Sequence, residues 1–400
     1  MEGRLGGDSR LTDRPVRVVV VGGGIVGLAT ARAIRSATPS AEVVVLEKES
    51  AVGQHQSSHN SGVLHAGVYY QPGSIKATLC RRGKVMMEAF CAQQGIPVDR
   101  NGKLVVATEA SELGRFDALV DRARANEVEG LAVLDGRELR AIEPHARGLR
   151  ALHSPGTGVV DFGAVCRALA VDLDVRTDVS VQTLADRGTQ VVLETTAGER
   201  TADAAVVCGG LWSESLAARS GHRTDVRVVP FRGSWVALRP SGAALVRGNI
   251  YPVPVPGLPF LGVHFTRRID GEVWVGPNAV VSLSQPRLLA RAAAFSGSWR
   301  LAAEHLGTGA REVWTDRSRR ALLRAMRRYV PDVADRDVDW GRKPSGVRAQ
   351  VVDRRGRLID DFVLAKQGRV VHVLNAPSPA ATSALAIGER LAAEVSTVLA

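Results

Sequence analysis

The chain has 400 residues and a mass of 42.6 kDa, more than one compact hydrophobic core usually holds, so we expect two domains. Hydrophobic residues at 45% and charged residues at 23% are ordinary for a globular protein, which excludes general disorder and low complexity. The net charge is +11 and the isoelectric point is about 10.1. This excess of cations is compatible with nucleic acid, an anionic membrane surface or an acidic small molecule as a partner, and also with a merely solvated surface.

The sequence carries no pattern typical of export, membrane insertion or metal binding. Residues 1–15 mix acidic and basic side chains without an apolar block, which predicts a disordered N-terminal arm rather than a signal peptide. Because no run of about 18 apolar residues occurs, we expect a cytoplasmic protein and leave open a peripheral contact with the inner face of the membrane. The four cysteines lack metal-ligand spacing, so we expect reduced thiols and no metal.

The first elements predict a βαβ unit. Val16–Val21 is a β-branched run that ends in glycines, Leu28–Ile34 has helical composition, and Glu42–Leu46 is a second valine-rich strand. Later apolar runs predict further strands at Leu104–Ala107, Val191–Glu194, Ala204–Cys208 and Val226–Val229. The prolines within Tyr251–Pro259 favour an extended segment over a helix.

A Gly-x-Gly-x-x-Gly motif joins the first strand to the first helix. Gly22 allows a tight turn, Gly24 lets the backbone approach a pyrophosphate, and Gly27 allows close packing of helix on strand. The free amides at the start of the helix favour phosphate. Glu47 ends the next strand twenty residues after Gly27, where its carboxylate can accept the ribose hydroxyls. The pattern predicts a dinucleotide site, with a plain glycine-rich turn as the alternative, and does not choose between FAD and NAD.

The segment Gly53–Tyr70 is rich in small and hydrogen-bonding residues, which suits a backbone wrapped around a flavin. Its run from Asn60 to Tyr70, Asn-Ser-Gly-Val-Leu-His-Ala-Gly-Val-Tyr-Tyr, resembles the FAD-dependent L-2-hydroxyglutarate dehydrogenases and oxidases of the glycine/D-amino-acid oxidase superfamily. Blocks similar to that family follow in order along almost the whole chain: Pro72–Ala77, Tyr251–Pro254, Pro259–Arg267, Gly276–Ala279, Gly346–Gln350 and Asn375–Ser383. One departure is Phe231–Trp235, where Ser-Trp replaces the expected acid and tyrosine.

The resemblance implies an α/β, two-domain FAD-dependent oxidoreductase. Its Rossmann-like FAD domain, with the glycine motif, would comprise residues 16–84, 151–221 and 344–400. A mixed β-sheet substrate domain would comprise residues 85–150 and 222–343.

The same resemblance places further FAD contacts. Beside the glycines and Glu47 they are Ser57, Ser58, Asn60, Ser61, Val181, Gly209, Ser378, Ala380 and Thr382. Without the resemblance, Val179–Val181 is an ordinary sheet edge and Asn375–Ser383 a polar loop. Some superfamily relatives attach the flavin covalently where His55 and His59 lie, but this family's resemblance implies noncovalent FAD.

The implied reaction oxidises L-2-hydroxyglutarate to 2-oxoglutarate and passes electrons to a quinone or oxygen. The hydroxyl proton goes to a base and the Cα hydrogen leaves as hydride to flavin N5. Arg348, in a Gly-Val-Arg segment, is the first candidate for the substrate carboxylate, since guanidinium binds carboxylate bidentately; a surface ion pair is the alternative. Candidates for the second carboxylate and the substrate wall are Lys76, Arg232, Arg267, Tyr69 and Tyr70.

Two histidines lie inside family-like blocks, and imidazole is the side chain that titrates near neutral pH. His264 follows an apolar strand and precedes Phe-Thr-Arg, which favours it as the catalytic base. His65 follows the flavin-wrapping segment, which favours a flavin or substrate contact. Either histidine could instead be a satisfied structural residue.

Thr315–Tyr329 predicts a helix that Pro331 stops, with arginines on one arc and apolar residues on another. The arc is compatible with a solvated face or with anionic lipid. Two other functions stay open: another superfamily oxidoreductase acting on glycerol 3-phosphate, an amino acid or an amine, and a flavoprotein that binds nucleic acid. We expect no nucleic-acid partner, because aromatic residues are only 4% and do not interleave with basic stretches.

Overall fold

A computed structural model describes residues 14–255 and 262–399. The strands are β1 (Arg17–Val21), β2 (Glu42–Leu46), β3 (Val63–Leu64), β4 (Val98–Asp99), β5 (Lys103–Ala107), β6 (Ala132–Asp135), β7 (Arg150–Ser154), β8 (Gly158–Val160), β9 (Asp174–Arg176), β10 (Val181–Asp186), β11 (Val191–Thr195), β12 (Gly198–Ala202), β13 (Ala204–Val207), β14 (Val226–Leu238), β15 (Asn249–Pro252), β16 (His264–Arg267), β17 (Val273–Val281), β18 (Val338–Asp339), β19 (Ser345–Asp353), β20 (Leu358–Ile359), β21 (Val363–Gln367) and β22 (Val370–Asn375).

The helices lie between these strands and close the chain. They are α1 (Ile25–Ala37), α2 (Ile75–Gln93), α3 (Leu113–Ala125), α4 (Gly136–Ile142), α5 (Phe162–Ala170), α6 (Ser213–Arg219), α7 (Pro240–Ala243), α8 (Pro286–Ala293), α9 (Ser296–Glu304), α10 (Leu306–Arg317), α11 (Arg319–Arg327) and α12 (Ala384–Leu399).

A six-stranded sheet in the order β21-β22-β13-β1-β2-β9 forms the first layer. All its neighbours are parallel except β21, which runs antiparallel to β22. The predicted βαβ unit is confirmed, with Val18 opposite Val43 across β1 and β2. Valine runs suit these central strands because both faces are buried: α1 and α12 cover one face through Leu28 and Leu391. The carboxyl ends of the parallel strands share one edge, the usual ligand-binding edge of such sheets.

A ten-stranded mixed sheet forms the second layer, in the order β20-β19-β14-β17-β16-β15-β5-β7-β6, with β18 paired to β14. Side chains alternate between its faces. Leu104 and Phe265 point to the back face, where they pack with Leu322 and Met326 of α11. The front face carries Lys103 in β5, Tyr251 in β15 and His264 in β16, and it packs against the segment that follows β3.

Two three-stranded sheets, β3-β8-β4 and β10-β11-β12, complete the fold. β10 begins beside the end of β2, because the Val179 N–H donates to the Glu47 carbonyl over 2.9 Å. The predicted strands around Leu104, Val191, Ala204 and Val226 are confirmed as β5, β11, β13 and the start of β14.

The sheets draw different boundaries from those predicted for the two domains. α2 runs past residue 85 and buries Met87 and Phe90 in the core around α1 and α12. β7, after residue 150, and β19, after residue 344, belong to the ten-stranded sheet. Changes in composition along the chain do not reveal which strands pair. The division into an FAD domain and a substrate domain therefore stays a prediction, and the sheets do not follow its predicted boundaries.

The helix predicted at Thr315–Tyr329 is two helices, and this prediction of one continuous helix is wrong. Ser318 separates α10 from α11, and its hydroxyl accepts the Ala321 N–H over 3.2 Å as an N-cap. A serine that caps the backbone in this way competes with helix continuation. Residues 1–13 of the predicted arm lie outside the described residues. So do residues 259–261, the first part of the family-like block Pro259–Arg267.

Among the described residues, no helix combines the length and the apolar character needed to cross a bilayer.

α11 offers a test of which of its faces is buried. Met326 is fully buried against the back face of the large sheet, whereas Arg324 on the same helix is exposed. We expect Met326→Ala to lower the free energy of unfolding by about 2–5 kcal/mol because it leaves a cavity. Arg324→Ala should change it little. Urea and thermal unfolding measure both, and equal effects would contradict the assigned burial.

Candidate active site

The junction of β1 and α1 accepts only glycine at two positions, one in the turn and one in the first turn of the helix. Gly22 has φ of 110°, and a Cβ there would lie 2.5 Å from the Cys208 carbonyl oxygen. A Cβ on Gly27 would lie 2.0 Å from the Gly22 carbonyl oxygen. At Gly24 a Cβ would meet only the Ser57 hydroxyl at 3.3 Å, so this stretch of backbone is open to a ligand. The close packing of α1 on β1 thus aims the start of the helix at that open space.

Glu47 lies beside the turn with its carboxylate held by the backbone. It is 7% exposed, and its Oε2 accepts the Gly23 N–H over 2.6 Å. Its Oε1 accepts the Glu49 N–H over 2.9 Å. A carboxylate has about four acceptor positions, so two remain for hydroxyl donors such as those of a ribose. Val181, also buried, lies at the start of β10 next to this carboxylate's strand.

The loop after β2 is shaped by its own polar side chains. Asn60 donates to the carbonyls of Gln56 and Ser57 over 2.9 and 2.8 Å, and its Oδ1 accepts the Gly62 N–H over 2.8 Å. The Ser57 hydroxyl accepts the Ile25 N–H at the start of α1 over 3.0 Å. The polar residues therefore brace the loop against the glycine turn. Ser58 packs between this loop and α5, near the position of Gly163.

The C-terminal part of the chain closes the same space. After β22, Thr382 accepts the His65 N–H over 3.1 Å and donates to the Val63 carbonyl over 3.4 Å. Gly209 follows β13 at the same edge of the sheet, and Ser378 and Ala380 lie in the loop before α12. The ends of four parallel strands, β1, β2, β13 and β22, thus converge, and the glycine cradle with its buried acid fits a dinucleotide such as FAD.

His264 lies on the front face, and one of its ring nitrogens is engaged in a hydrogen bond. Its ring stacks on Tyr251 with centroids 3.9 Å apart, and its Nδ1 lies 2.8 Å from the Gly262 carbonyl oxygen. Nδ1 therefore donates the proton, which leaves Nε2 as the acceptor. Burial, helped by the charges of Arg348 and Lys103, lowers the pKa of His264 to about 3 despite the hydrogen bond to Gly262. The imidazole is neutral at physiological pH.

His65 and Arg348 come to the same place from different parts of the chain. The Nδ1 of His65 is buried and has no partner in the described part of the chain. Burial lowers the pKa of His65 well below its ordinary value, and the charges of Lys103, Lys76 and Arg348 add to that effect. Arg348 lies in β19 with its guanidinium 5.9 Å from the Trp235 ring. Burial lowers the pKa of Arg348, and no described carboxylate offsets that effect.

The three cations predicted for the second carboxylate are otherwise engaged. Lys76 pairs with Asp360 over 2.6 Å. Arg232 pairs with Asp316 over 2.9 Å. Phe231 lies opposite Arg348 across β14 and β19 and so shares its face of the sheet. The next residue, Arg232, therefore points to the other face. Arg267 is three positions from His264 in β16, so it points to the back face.

There the Arg267 guanidinium donates to the Val246 carbonyl over 3.1 Å. The structure therefore does not bring Arg267 together with the other predicted substrate residues. The predicted tyrosines lie on the front side. The hydroxyl of Tyr69 is buried and without a described partner, and the ring of Tyr70 lies 5.2 Å from the Lys76 ammonium.

Lys103 is a site residue that sequence reasoning missed. It is 2% exposed, and its ammonium lies 4.3 Å from the centre of the Tyr251 ring and 5.0 Å from that of Tyr69. Burial lowers the pKa of Lys103 to about 7. The sequence signal for this position is a single charged residue directly before the apolar run Leu104–Ala107. The predicted strand began at Leu104, whereas β5 begins at Lys103.

Comparison with known proteins agrees with this geometry. The profile of the FAD dependent oxidoreductase (DAO) family matches residues 17–394. The mitochondrial L-2-hydroxyglutarate dehydrogenase of Homo sapiens is 40% identical over 423 residues, which cover 98% of this chain and 90% of that protein. The L-2-hydroxyglutarate dehydrogenase of Escherichia coli is 40% identical over 398 residues, which cover 96% of this chain and 93% of that protein.

Solved structures share the fold at lower identity. L-α-glycerophosphate oxidase from Mycoplasma pneumoniae, with FAD bound, superposes with a TM-score of 0.76 at 20% identity and covers 96% of this chain and 94% of its own. Glycine oxidase from Geobacillus kaustophilus superposes with a TM-score of 0.71 at 20% identity and covers 96% of this chain and 95% of its own. The predicted α/β flavoprotein fold is confirmed.

The glycine turn yields a test of cofactor binding. Gly27→Ala puts a methyl group 2.0 Å from the Gly22 carbonyl, which forces α1 off the turn, so we expect most of the bound FAD to be lost. Flavin absorbance relative to protein absorbance measures it. The control is Gly307→Ala in α10, where nothing lies within 4 Å of the added methyl group. Full FAD content in Gly27→Ala would contradict this account of the turn.

Proposed function

The chain belongs to the FAD-dependent oxidoreductase (DAO) family, and on this premise we infer that it oxidises L-2-hydroxyglutarate to 2-oxoglutarate with FAD as cofactor. Relatives about 40% identical over nearly the whole chain carry the name of that activity. The observation that carries the chemistry is the presence of a neutral imidazole and a half-buried guanidinium on the same face of the large sheet. His264 offers an unprotonated Nε2, and Arg348 has no described carboxylate partner.

Each of these side chains has a separate task in the reaction. The Arg348 guanidinium binds the carboxylate next to the reacting carbon and holds the substrate in register. The Nε2 of His264 accepts the hydroxyl proton. Bound FAD supplies a two-electron acceptor for the hydrogen of that carbon. The buried hydroxyl of Tyr69 and the Nδ1 of His65 supply further polar contacts at this wall.

Substrate binding makes His264 a stronger base. In the unliganded protein the positive charges of Arg348 and Lys103 help to lower its pKa. A bound carboxylate offsets those charges and therefore raises the pKa of His264 towards the range useful for proton transfer. His264 is thus a stronger base when the anion that it serves is present.

An electron acceptor completes the cycle, and we propose a quinone or oxygen for that role. Since a quinone lies in the membrane, a peripheral contact would give access to it. Exposed apolar side chains on α9 and α10 support such a contact: Trp299 is 67% exposed, Leu306 is 69% exposed and Trp314 is 66% exposed. The next helix, α11, adds the exposed cations Arg320 and Arg324, which suit anionic lipid.

The base can be tested by single-turnover kinetics. We expect His264→Ala to slow the anaerobic bleaching of the flavin by L-2-hydroxyglutarate by about 10²–10⁴-fold, because the hydroxyl proton loses its acceptor. Wild-type protein should bleach with the L enantiomer rather than the D enantiomer. The matched control is His145→Ala, which removes an exposed imidazole paired with Asp332. An unchanged rate in a His264→Ala variant with full FAD content would rule out His264 as the base.

The membrane contact has its own test. We expect the protein to sediment with phosphatidylglycerol vesicles at low salt and not with phosphatidylcholine vesicles. Replacing Trp299 and Trp314 by serine should release it, because interfacial aromatic rings anchor such contacts. Val85→Ser, which removes another exposed apolar side chain on α2, is the control. Wild-type protein that stays in the supernatant at low salt would contradict the contact.

A further inference from the structure

The charges on the front face of the large sheet do not balance. Three cations approach the wall formed by Tyr69, Tyr70 and Tyr251: Lys76, Lys103 and Arg348. Within the described part of the chain only Lys76 pairs with a carboxylate, that of Asp360. A buried charge without a partner is costly unless a ligand supplies the opposite charge. Two uncompensated cations therefore match a ligand with two negative charges.

Lys103 is the deeper of the two. Its side chain leaves β5 on the front face, between the rings of Tyr69 and Tyr251. Aromatic rings attract the ammonium but do not neutralise it. The titratable groups that face Lys103 come from the segment after β3, from α2, from β15 and from β16: His65, Tyr69, Cys80, Tyr251 and His264. None of these is an acid at neutral pH, since burial raises the pKa of Cys80 and Tyr251 to about 12.

Lys103 and Arg348 lie on either side of the base. Both are close enough to His264 for their charges to lower its pKa. They come from strands far apart in the sheet, since β5 and β19 are separated by β15, β16, β17 and β14. A substrate whose first carboxylate is bound by Arg348 and whose hydroxyl faces His264 therefore extends towards Lys103 with its far end.

The other cations do not serve this position as well. The Lys76 ammonium already contacts Asp360 over 2.6 Å, and Arg232 is paired with Asp316 over 2.9 Å. Arg267 is bound to backbone carbonyls on the back face. Lys103 alone among these candidates is buried on the front face without a described counter-ion.

We propose that Lys103 binds the distal carboxylate of the substrate and thereby selects five-carbon 2-hydroxy diacids over 2-hydroxy monoacids. This assignment rests on the proposed oxidation of L-2-hydroxyglutarate and adds the residue that recognises its second charge. A monoacid leaves the Lys103 ammonium buried and unpaired, so discrimination comes from the cost of that unpaired charge as well as from the bond that a diacid forms.

Recognition by Lys103 depends on pH with a defined sign. Burial lowers the pKa of Lys103 to about 7, so the ammonium is present below that pH and is lost above it. A bound carboxylate stabilises the charged form and raises the pKa. The KM for the diacid therefore rises as the pH increases above about 7, whereas the KM for a monoacid does not follow that rise.

The experiment compares L-2-hydroxyglutarate with L-2-hydroxyvalerate, which has the same carbon chain without the distal carboxylate. We expect Lys103→Met to raise the KM for the diacid about 10- to 100-fold with a smaller change in kcat. The KM for the monoacid should stay the same or fall. Lys103→Arg should keep the preference for the diacid and remove the rise in KM above neutral pH, because guanidinium stays charged.

Two further variants separate this role from a structural one. Lys366→Met removes an ammonium of β21 that pairs with Glu394 of α12, and it should leave the KM for both substrates unchanged. Lys76→Met should change the diacid preference less than Lys103→Met does. FAD content and melting temperature should be retained in Lys103→Met, since it removes a buried charge and keeps the side-chain volume.

Each negative outcome has one meaning. If wild-type flavin is not bleached by L-2-hydroxyglutarate, the proposed function fails. If wild type is active and Lys103→Met keeps the diacid preference, or loses activity towards both acids in equal proportion, the assignment of Lys103 is overturned while the function stands. A collapse of the preference in Lys76→Met alone would assign the distal carboxylate to Lys76.

Discussion

The packing of α1 on β1, at the proposed FAD site, depends on the close approach of Gly27 to the carbonyl of Gly22. A single methyl group at Gly27 would lie 2.0 Å from that oxygen, so the contact exists only between glycines. It seats α1 directly on β1 and opens the start of the helix to the sheet edge. The same turn presents the Gly23 amide to Glu47, which orients this carboxylate directly after β2. At the proposed FAD site, phosphate and ribose recognition would thus both follow from one steric constraint.

The site is assembled from segments that are distant in the chain. Thr382 holds the backbone of His65 across 317 positions, and Gln56 accepts the Ala349 amide across 293 positions. A Cβ on Gly346 would lie 2.3 Å from the His59 carbonyl, so the strand that carries Arg348 lies directly against the loop after β2. These contacts place the ten-stranded sheet, the proposed substrate side, against the loop after β2, the proposed cofactor side. A reaction that requires the substrate to meet a flavin needs this junction.

Electrostatics then gives the junction its chemistry. Lys103 is buried and Arg348 is half-buried, neither has a described carboxylate partner, and their charges help to keep His264 neutral. A neutral imidazole with an unprotonated Nε2 can accept a proton. The charges of Arg348 and Lys103 help to lower the pKa of His264, and a dianionic substrate offsets those charges. In the proposed reaction, substrate binding and proton transfer are therefore coupled through the same two cations, which are a few of the 52 lysines and arginines.

The local order of the sequence determined the βαβ unit, the glycine turn, Glu47 and the loop that carries His65, because valine runs, glycine positions and spacing act over short distances. Resemblance along the chain pointed to Arg348 and His264. Only the tertiary structure decided which cations are free, since Lys76 and Arg232 are neutralised by carboxylates 284 and 84 positions away. It also placed Arg267 on the back face, divided the arginine-rich helix at Ser318 and brought Lys103 to the front face beside Tyr251. Strand pairing and charge pairing join residues that no local pattern connects, and these pairings determine which side chains remain for the substrate.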